Sequence, residues 1–154
     1  MPPTVQTIVL QRPAVEATER GATELADAYW AQVRRLTRGL VRVRPTGRGP
    51  ELRVSGVALF RFGPATTTVT PELVECRFAI VGGLLAKEEA GSLVFAQRTT
   101  PRLELEVSVT DYVPFLSSRR ERRSLRRFVY RQLQERLHAA IGRRYLARMA
   151  RIHA

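Results

Sequence analysis

The sequence is poor in the residues that build disulfides and metal centres. It contains one cysteine, Cys76, and two histidines, His138 and His153, among 154 residues. A single cysteine cannot close a disulfide within the chain, which fits a reducing compartment, and we expect a cytoplasmic protein. The histidines and the cysteine lack the spacing of a ligand set, so we expect no metal site and no cofactor.

Long apolar runs are missing as well. No stretch of about 18 apolar residues is present, so we expect no transmembrane helix. The N-terminal sequence MPPTVQTIVLQRP has no basic start and no small-residue cleavage site, so we expect no signal peptide. A chain of 154 residues is long enough for one hydrophobic core, and we expect a single domain over residues 1–154.

Lysine is nearly absent and acidic residues are outnumbered. Arginine supplies 25 of the 26 basic residues, and the formal net charge is +12. A genome rich in G and C also favours arginine codons, so the preference alone indicates no function. The charge is unevenly distributed, however, because residues 117–154 carry a net +10 and the preceding 116 residues only +2. Such asymmetry is the usual sign of a polyanionic partner.

The order of apolar patterns predicts a strand, a helical region, about five strands and a long C-terminal helix. Val5 to Leu10 is rich in β-branched residues and predicts the first strand. The segment AVEATERGATELADAYWAQVRRL has apolar residues at helical spacing, with Gly21 as a point of division and Gly39 as a stop. Leu40–Arg44 predicts the next strand, followed by the turn PTGRGP.

Alternation with a period of two dominates the middle of the chain. It predicts strands in LRVSGVALFRF, in ELVECRFAIV and in RLELEVSVTDYV, with a shorter strand in SLVFAQRT, and FGPATTTVTPELVECRFAIV is long enough to contain two. One apolar and one polar face are typical of an antiparallel sheet that is buried on one side. Only the two helical regions can cover that side, so we expect a two-layer α+β domain with about six or seven strands.

The C-terminal segment from Ser117 to Ile152 predicts an amphipathic helix whose apolar side changes direction. Its first apolar stripe consists of Leu125, Val129, Leu133, Leu137 and Ala140, with Phe128 at the edge. After Gly142 the apolar residues are Tyr145, Leu146, Met149 and Ile152, rotated by roughly 120° from the first stripe. We therefore predict a bend or break near Gly142. Alternatively, residues 143–154 form a basic amphipathic tail that packs on another chain or surface.

This order of elements resembles the START-like helix-grip superfamily, which includes polyketide cyclases and lipid carriers of the birch-pollen-allergen type. The resemblance covers most of the chain and is one of architecture, without a diagnostic motif. It implies a curved antiparallel sheet gripping a long C-terminal helix, and a cavity between them that holds an apolar ligand. It implies no catalytic residues, because the activities of the family depend on sites that vary.

The first functional hypothesis is the binding of a small apolar molecule, lipid-like or polyketide-like, in such a cavity. Cys76 alternates with core-facing residues and is expected to be a small buried hydrophobe. Asp111 continues the inward parity of the last strand. It either contacts the ligand or has a structural role, as a helix cap or as a partner of Arg119 or Arg120. The candidate ligand-binding residues are Phe60, Phe62, Cys76, Phe78, Val107, Val109, Asp111, Phe128 and Leu137.

Two further hypotheses stay open. One is the binding of a nucleic acid or an anionic membrane by the C-terminal arginines, although no aromatic residues interleave with them on the polar face. The other is a cyclase or hydrolase on the same fold, for which the sequence shows no acid–base pair. The oligomeric state is open. The candidate polyanion-binding residues are Arg119, Arg120, Arg123, Arg127, Arg131, Arg143, Arg144, Arg148 and Arg151.

Overall fold

A computed structural model describes residues 4–84, 91–110 and 124–153, with the backbone alone for residues 4, 110 and 124–137. These residues form eight strands and two helices. In chain order the elements are β1 (Thr4–Val9), α1 (Glu19–Leu36), β2 (Arg42–Thr46), β3 (Gly49–Val54), β4 (Val57–Phe62), β5 (Thr66–Thr70), β6 (Leu73–Gly82), β7 (Ser92–Arg98), β8 (Glu104–Thr110) and α2 (Ser124–Ile152).

All strand pairs are antiparallel, and the strands form one curved, open sheet with the order β1-β8-β7-β6-β4-β3-β2. β5 and β4 share one side of the long strand β6, since β5 pairs with its beginning and β4 with its end. The predicted α+β class is therefore confirmed: a curved antiparallel sheet, a helix after the first strand and a C-terminal helix that packs against the sheet.

The segment LRVSGVALFRF, predicted as one strand, is a hairpin. Ser55 and Gly56 both have positive φ, 49° and 82°, and form a tight two-residue turn between β3 and β4. Two residues of positive φ are what a hairpin turn of this length requires. The segment FGPATTTVTPELVECRFAIV does contain two strands, β5 and β6, which gives the seven strands expected at most. The additional strand from this hairpin brings the number of strands to eight.

Gly21 lies in the first turn of α1 and does not divide the helix. Thr18 caps the helix, and its side-chain oxygen accepts a hydrogen bond from the Gly21 amide at 3.0 Å. A Cβ atom at position 21 would overlap the carbonyl oxygen of Glu16, so only glycine lets the chain fold back so closely before the helix. Sequence reasoning recognised the break in pattern but placed it inside the helix instead of at its start.

The two helices cover different parts of the inner face of the sheet. α1 contacts β5, β6 and β7, whereas α2 contacts β1, β8 and α1. The inner face is built by alternate residues, of which Val74, Cys76, Phe78 and Ile80 on β6 are all buried. The predicted two-layer packing is thus confirmed, with α1 over the central strands and α2 over the β1–β8 edge.

α2 runs without interruption through Gly142, so the predicted break there is wrong. Ile141, Tyr145, Leu146 and Met149 are buried in the core of this chain, and Ile152 at the end of the helix is 57% exposed. The physical role of Gly142 is close packing, because a Cβ atom there would overlap the side chain of Gln6 on β1. Among the described residues, neither helix has the length and apolarity needed to cross a membrane.

Candidate functional site

An aromatic cluster fills the space between α1 and the middle of the sheet. Trp30 of α1 lies with its ring centroid 5.4 Å from that of Phe62 and 5.6 Å from that of Phe78. Tyr29 lies 4.8 Å from Phe95 of β7. Tyr145 of α2 completes the cluster, 5.5 Å from Tyr29 and 6.0 Å from Phe95. Most of these pairs are edge-to-face, the arrangement that favours contact between aromatic rings.

The described candidate ligand-binding residues come together on the inner face of the sheet. Phe62, Cys76, Phe78 and Val107 are buried in the core, whereas Phe60 and Val109 are partly buried and pack against it. Asp111 lies outside the described residues, as do Arg119, Arg120 and Arg123. Phe128, Leu137, Arg127 and Arg131 lie in α2, where only the backbone is described.

Polar groups interrupt the apolar layer where α1 meets α2. The Tyr29 hydroxyl lies 3.3 Å from Nδ1 of His138, and the Tyr145 hydroxyl donates a hydrogen bond to the Leu25 carbonyl oxygen at 3.0 Å. Burial raises the pKa of both tyrosines and lowers the pKa of His138, because each charged form is poorly solvated there. All three side chains are therefore neutral at pH 7, and they offer hydrogen bonds without bringing a charge into the core.

The Cys76 thiol is a core group rather than a nucleophile. Burial, together with the negative charges of Asp27 and Glu75, raises its pKa to about 11. The side chain is fully buried and forms no disulfide. A thiol that stays protonated at neutral pH reacts slowly, because the thiolate is the reactive species.

Gln97 on β7 ties the loop before α1 to the sheet. Its Oε1 accepts hydrogen bonds from the amides of Ala14 at 2.7 Å and Val15 at 3.1 Å, and its Nε2 donates to the Val15 carbonyl oxygen at 3.0 Å. The side chain is 3% exposed. The sequence analysis did not identify Gln97, Trp30 or Phe95. For Gln97 the one available signal was that a polar residue stands at an inward position of the short strand SLVFAQRT.

The C-terminal arginines whose side chains are described lie on the outer surface of α2. Arg143, Arg144 and Arg151 are exposed and Arg148 is partly exposed. Within the described part of the chain, none of these four side chains forms an ion pair with a carboxylate.

A second basic region occurs earlier in the chain, and sequence reasoning missed it. Residues 34–62 contain eight arginines and one acidic residue, Glu51, for a net charge of +7. The rest of residues 1–116 has a net charge of −5, so averaging over the whole segment conceals this region. A shorter window along the charge pattern would have found it.

The surface of the described residues has depressions at two places that matter here, and a predicted ligand-binding residue lines neither of them. One, of about 390 Å³, lies at the end of the sheet near the loop before α1, where Val15, Val74 and Gln97 contribute to its wall. The other, of about 640 Å³, lies against β2 and β3 in the second basic region.

Within residues 4–84, 91–110 and 124–153, no three His, Cys, Asp or Glu side chains come together in a way that would hold a metal ion. Comparison with family models, with curated proteins and with solved structures found no match for this chain.

Proposed function

We propose that this protein binds a small apolar molecule, lipid-like or polyketide-like, between the inner face of its sheet and α2. The observation that carries the proposal is the polar pair of the Tyr29 hydroxyl and His138 Nδ1, 3.3 Å apart, in an otherwise apolar and aromatic layer. Binding sites for small organic molecules typically combine apolar walls with a few well-placed polar groups. Neutral hydroxyl and imidazole groups suit an uncharged oxygen on the ligand.

The position of this pair also supports the proposal. His138 lies at the point where α2 changes from its first apolar stripe to the buried residues Ile141 and Tyr145. Below it, Phe95 and Val107 form the inner surface of β7 and β8. We place the ligand beneath residues 124–137 of α2, with its polar end toward Tyr29 and His138.

The order of elements supports membership of the START-like helix-grip superfamily, in which a curved antiparallel sheet grips a long C-terminal helix. A cyclase or hydrolase reaction on this fold has no specific support, so we confine the proposal to binding. The single buried cysteine supports a cytoplasmic location.

Native mass spectrometry after incubation with lipid and polyketide extracts tests the proposal. We expect an adduct of defined mass on the folded protein. A direct titration compares 1-naphthol with 1-methylnaphthalene, which differ in a hydroxyl at nearly equal apolar size. We expect Tyr29→Phe to weaken naphthol binding by about fivefold, the effect of one neutral hydrogen bond, and to leave methylnaphthalene binding unchanged.

Arg20→Gln, which changes a 90% exposed side chain on the outer side of α1, is the control and should affect neither ligand. A protein that takes up no extract component and binds neither naphthalene would contradict the proposal.

A second candidate function is polyanion binding by the outer surface of α2. The observation in its favour is the set of four arginines there, Arg143, Arg144, Arg148 and Arg151, for which the described residues provide no carboxylate partner. Binding to duplex DNA is measured against salt concentration, and flotation with phosphatidylglycerol vesicles provides the membrane counterpart. For DNA, Arg143→Gln/Arg144→Gln should reduce the salt slope by about 2. An unchanged slope, or no binding to DNA or vesicles at about 150 mM salt, rejects this function.

A further inference from the structure

A basic depression of about 640 Å³ lies at one edge of the sheet, away from the proposed ligand site. It is formed by the loop after α1, by β2 and β3, and by the turn between β3 and β4. Its lining residues are Gly39, Leu40, Arg42, Val43, Arg44, Pro45, Arg53, Ser55 and Gly56.

The arginines of this depression lie on the outer face of the sheet. Arg42 is directly opposite Arg53 in the antiparallel register, and Arg44 is directly opposite Glu51. Opposite residues in an antiparallel pair share a face, so all four side chains project from the same side. The other side belongs to the core, since Val43 and Leu52 pack against it.

One carboxylate serves this group of arginines and is already bound. Glu51 accepts a hydrogen bond from Arg53 at 2.7 Å and lies 3.9 Å from the Arg61 guanidinium. Arg53 is held further by donation to the Gly56 carbonyl oxygen, which fixes its guanidinium at the depression. Arg42 and Arg44 are exposed, and within the described residues neither has a carboxylate partner.

The cross-strand pair of Arg42 and Arg53 is electrostatically unfavourable without an anion. Like charges directly opposite each other in a sheet destabilise the pair. The surrounding segment increases the cost, because residues 34–62 carry a net charge of +7. A bound anion between Arg42, Arg44 and Arg53 would remove this repulsion and gain charge-assisted hydrogen bonds.

We propose that this depression binds a small organic phosphate monoester. With Arg53 paired to Glu51, Arg42 and Arg44 leave a local charge of +2. A phosphate monoester carries about −1.5 to −2 at pH 7, and guanidinium groups bind phosphate oxygens in a bidentate manner. The organic part of the ligand lies against Leu40, which lines the same depression and is 65% exposed.

The proposal is independent of the apolar-ligand function and of the α2 arginines. Its residues belong to β2, β3 and the loop after α1, whereas the interior site involves β7, β8 and α2. Failure of either of those functions therefore leaves it standing, and its own failure leaves them standing.

Titration of the isotope-labelled full chain with phenyl phosphate, phenol and inorganic phosphate tests the proposal. We expect phenyl phosphate to shift the backbone NMR signals of residues 39–45 and 53–56 and to bind with a Kd of about 1 mM or lower. Inorganic phosphate should bind the same residues more weakly. Phenol, which lacks the phosphate, should not bind. Shifts confined to other residues, or no saturable binding of phenyl phosphate, would overturn the proposal. So would binding of a ten-nucleotide single-stranded DNA at these residues without binding of phenyl phosphate.

Arg42→Gln/Arg44→Gln provides the second measurement. We expect phenyl phosphate affinity to fall by at least about tenfold, the effect of losing charge-assisted hydrogen bonds. The matched control is Arg20→Gln/Arg102→Gln, which removes the same net charge from exposed side chains elsewhere. An equal loss in both variants would show an effect of net charge alone and would overturn the proposal.

The affinity should also depend on pH through the ligand. The second pKa of a phosphate monoester is about 6, so the ligand loses one negative charge as the pH falls from about 7.5 to about 5. Arginine keeps its charge over this range. We expect the Kd for phenyl phosphate to rise several-fold, and a Kd that stays constant would contradict binding of the dianion.

Discussion

Gly142 of α2 lies directly against the side chain of Gln6 on β1. The Gln6 Nε2 atom donates a hydrogen bond to the Ala139 carbonyl oxygen at 3.2 Å, whereas Oε1 is buried and has no hydrogen-bond partner among the described residues. A Cβ atom at Gly142 would overlap that Oε1 atom and would lie 3.4 Å from Cγ1 of Val107. The absence of a side chain at position 142 therefore lets the helix approach the edge of the sheet.

This contact predicts that the effect of Gly142→Ala depends on residue 6. Alanine stabilises a helix interior by about 1 kcal/mol relative to glycine, but here the new methyl group displaces the Gln6 amide and its hydrogen bond. We expect no net gain in the free energy of unfolding in the otherwise unchanged chain, and a gain of about 1 kcal/mol when Gln6→Ala is also present. Urea unfolding of the four proteins measures this cycle. Equal effects of Gly142→Ala in both backgrounds would contradict the contact.

Gln97→Leu should destabilise the fold strongly. The substitution leaves the amides of Ala14 and Val15 and the Val15 carbonyl without the partner that Gln97 provides. Buried groups left unpaired cost about 1–3 kcal/mol each, and we expect a total loss of about 3 kcal/mol. Gln32→Leu is the matched control, since the Gln32 side chain is also buried but makes no hydrogen bond among the described residues. Equal losses for the two substitutions would show that the three hydrogen bonds do not matter.

Stability should fall as the pH decreases from about 7 to about 5, and His138 should contribute to the fall. Burial lowers the pKa of His138 in the folded state, so the unfolded chain binds its proton first. Its contribution is complete above the unfolded pKa of 6.5 and is lost toward the lower folded pKa. One such group gives a slope of at most about 1.4 kcal/mol per pH unit.

Urea unfolding at several pH values measures this slope, and His138→Gln should reduce it. Burial and the charge of Glu24 raise the pKa of Asp27, which acts in the opposite direction at lower pH, so the measurements stay above about pH 5. His153→Gln, which removes the imidazole just after the end of α2, is the control. The same change of slope in both variants would contradict the assignment to His138.

Cys76 should resist thiol reagents until the protein unfolds. With its pKa at about 11 and its side chain fully buried, the thiolate is scarce at pH 8. We expect Ellman's reagent to react at least about a hundredfold more slowly with the folded protein than with the urea-unfolded chain. Cys76→Ala/Thr68→Cys, with the thiol moved to an exposed position on β5, should react rapidly when folded. Fast labelling of Cys76 in the folded protein would contradict its place in the core.

The sequence predicted those parts of the fold that depend on local alternation. Each inward position on β6, such as Cys76 or Phe78, is apolar in its own right, so the face could be assigned without knowing its neighbours. The hairpin at Ser55 and Gly56 was not recognised because a register shift between Leu52 and Arg53 brings Leu52 opposite Phe60. Even-numbered apolar residues therefore lie on one face both before and after the turn, as in a single strand. The Ser-Gly dipeptide, which is a turn signal in sequence, would have been the better guide.

The features that sequence reasoning missed or misread depend on distant partners. In the sequence Gln97 is a polar residue at a core-facing position with no evident partner. Its partners, the amides of Ala14 and Val15, are 83 and 82 residues away in the chain. Gly142 resembles a helix breaker until Gln6 is known to lie against it. The basic depression depends on the register that places Arg42 opposite Arg53, which the spacing along one strand cannot reveal.

The position of β1 has a consequence for the order in which the molecule is assembled. β1 pairs with β8, and its Gln6 bonds to a helix residue 133 positions later. During synthesis on a ribosome, this first strand therefore leaves the exit tunnel long before its partners exist. Central hairpins such as β3–β4 and β6–β7 can form earlier, because their contacts are local. β1, although it is made before the other seven strands of this sheet, is consequently among the last to join it, and it closes the edge on which α2 is packed.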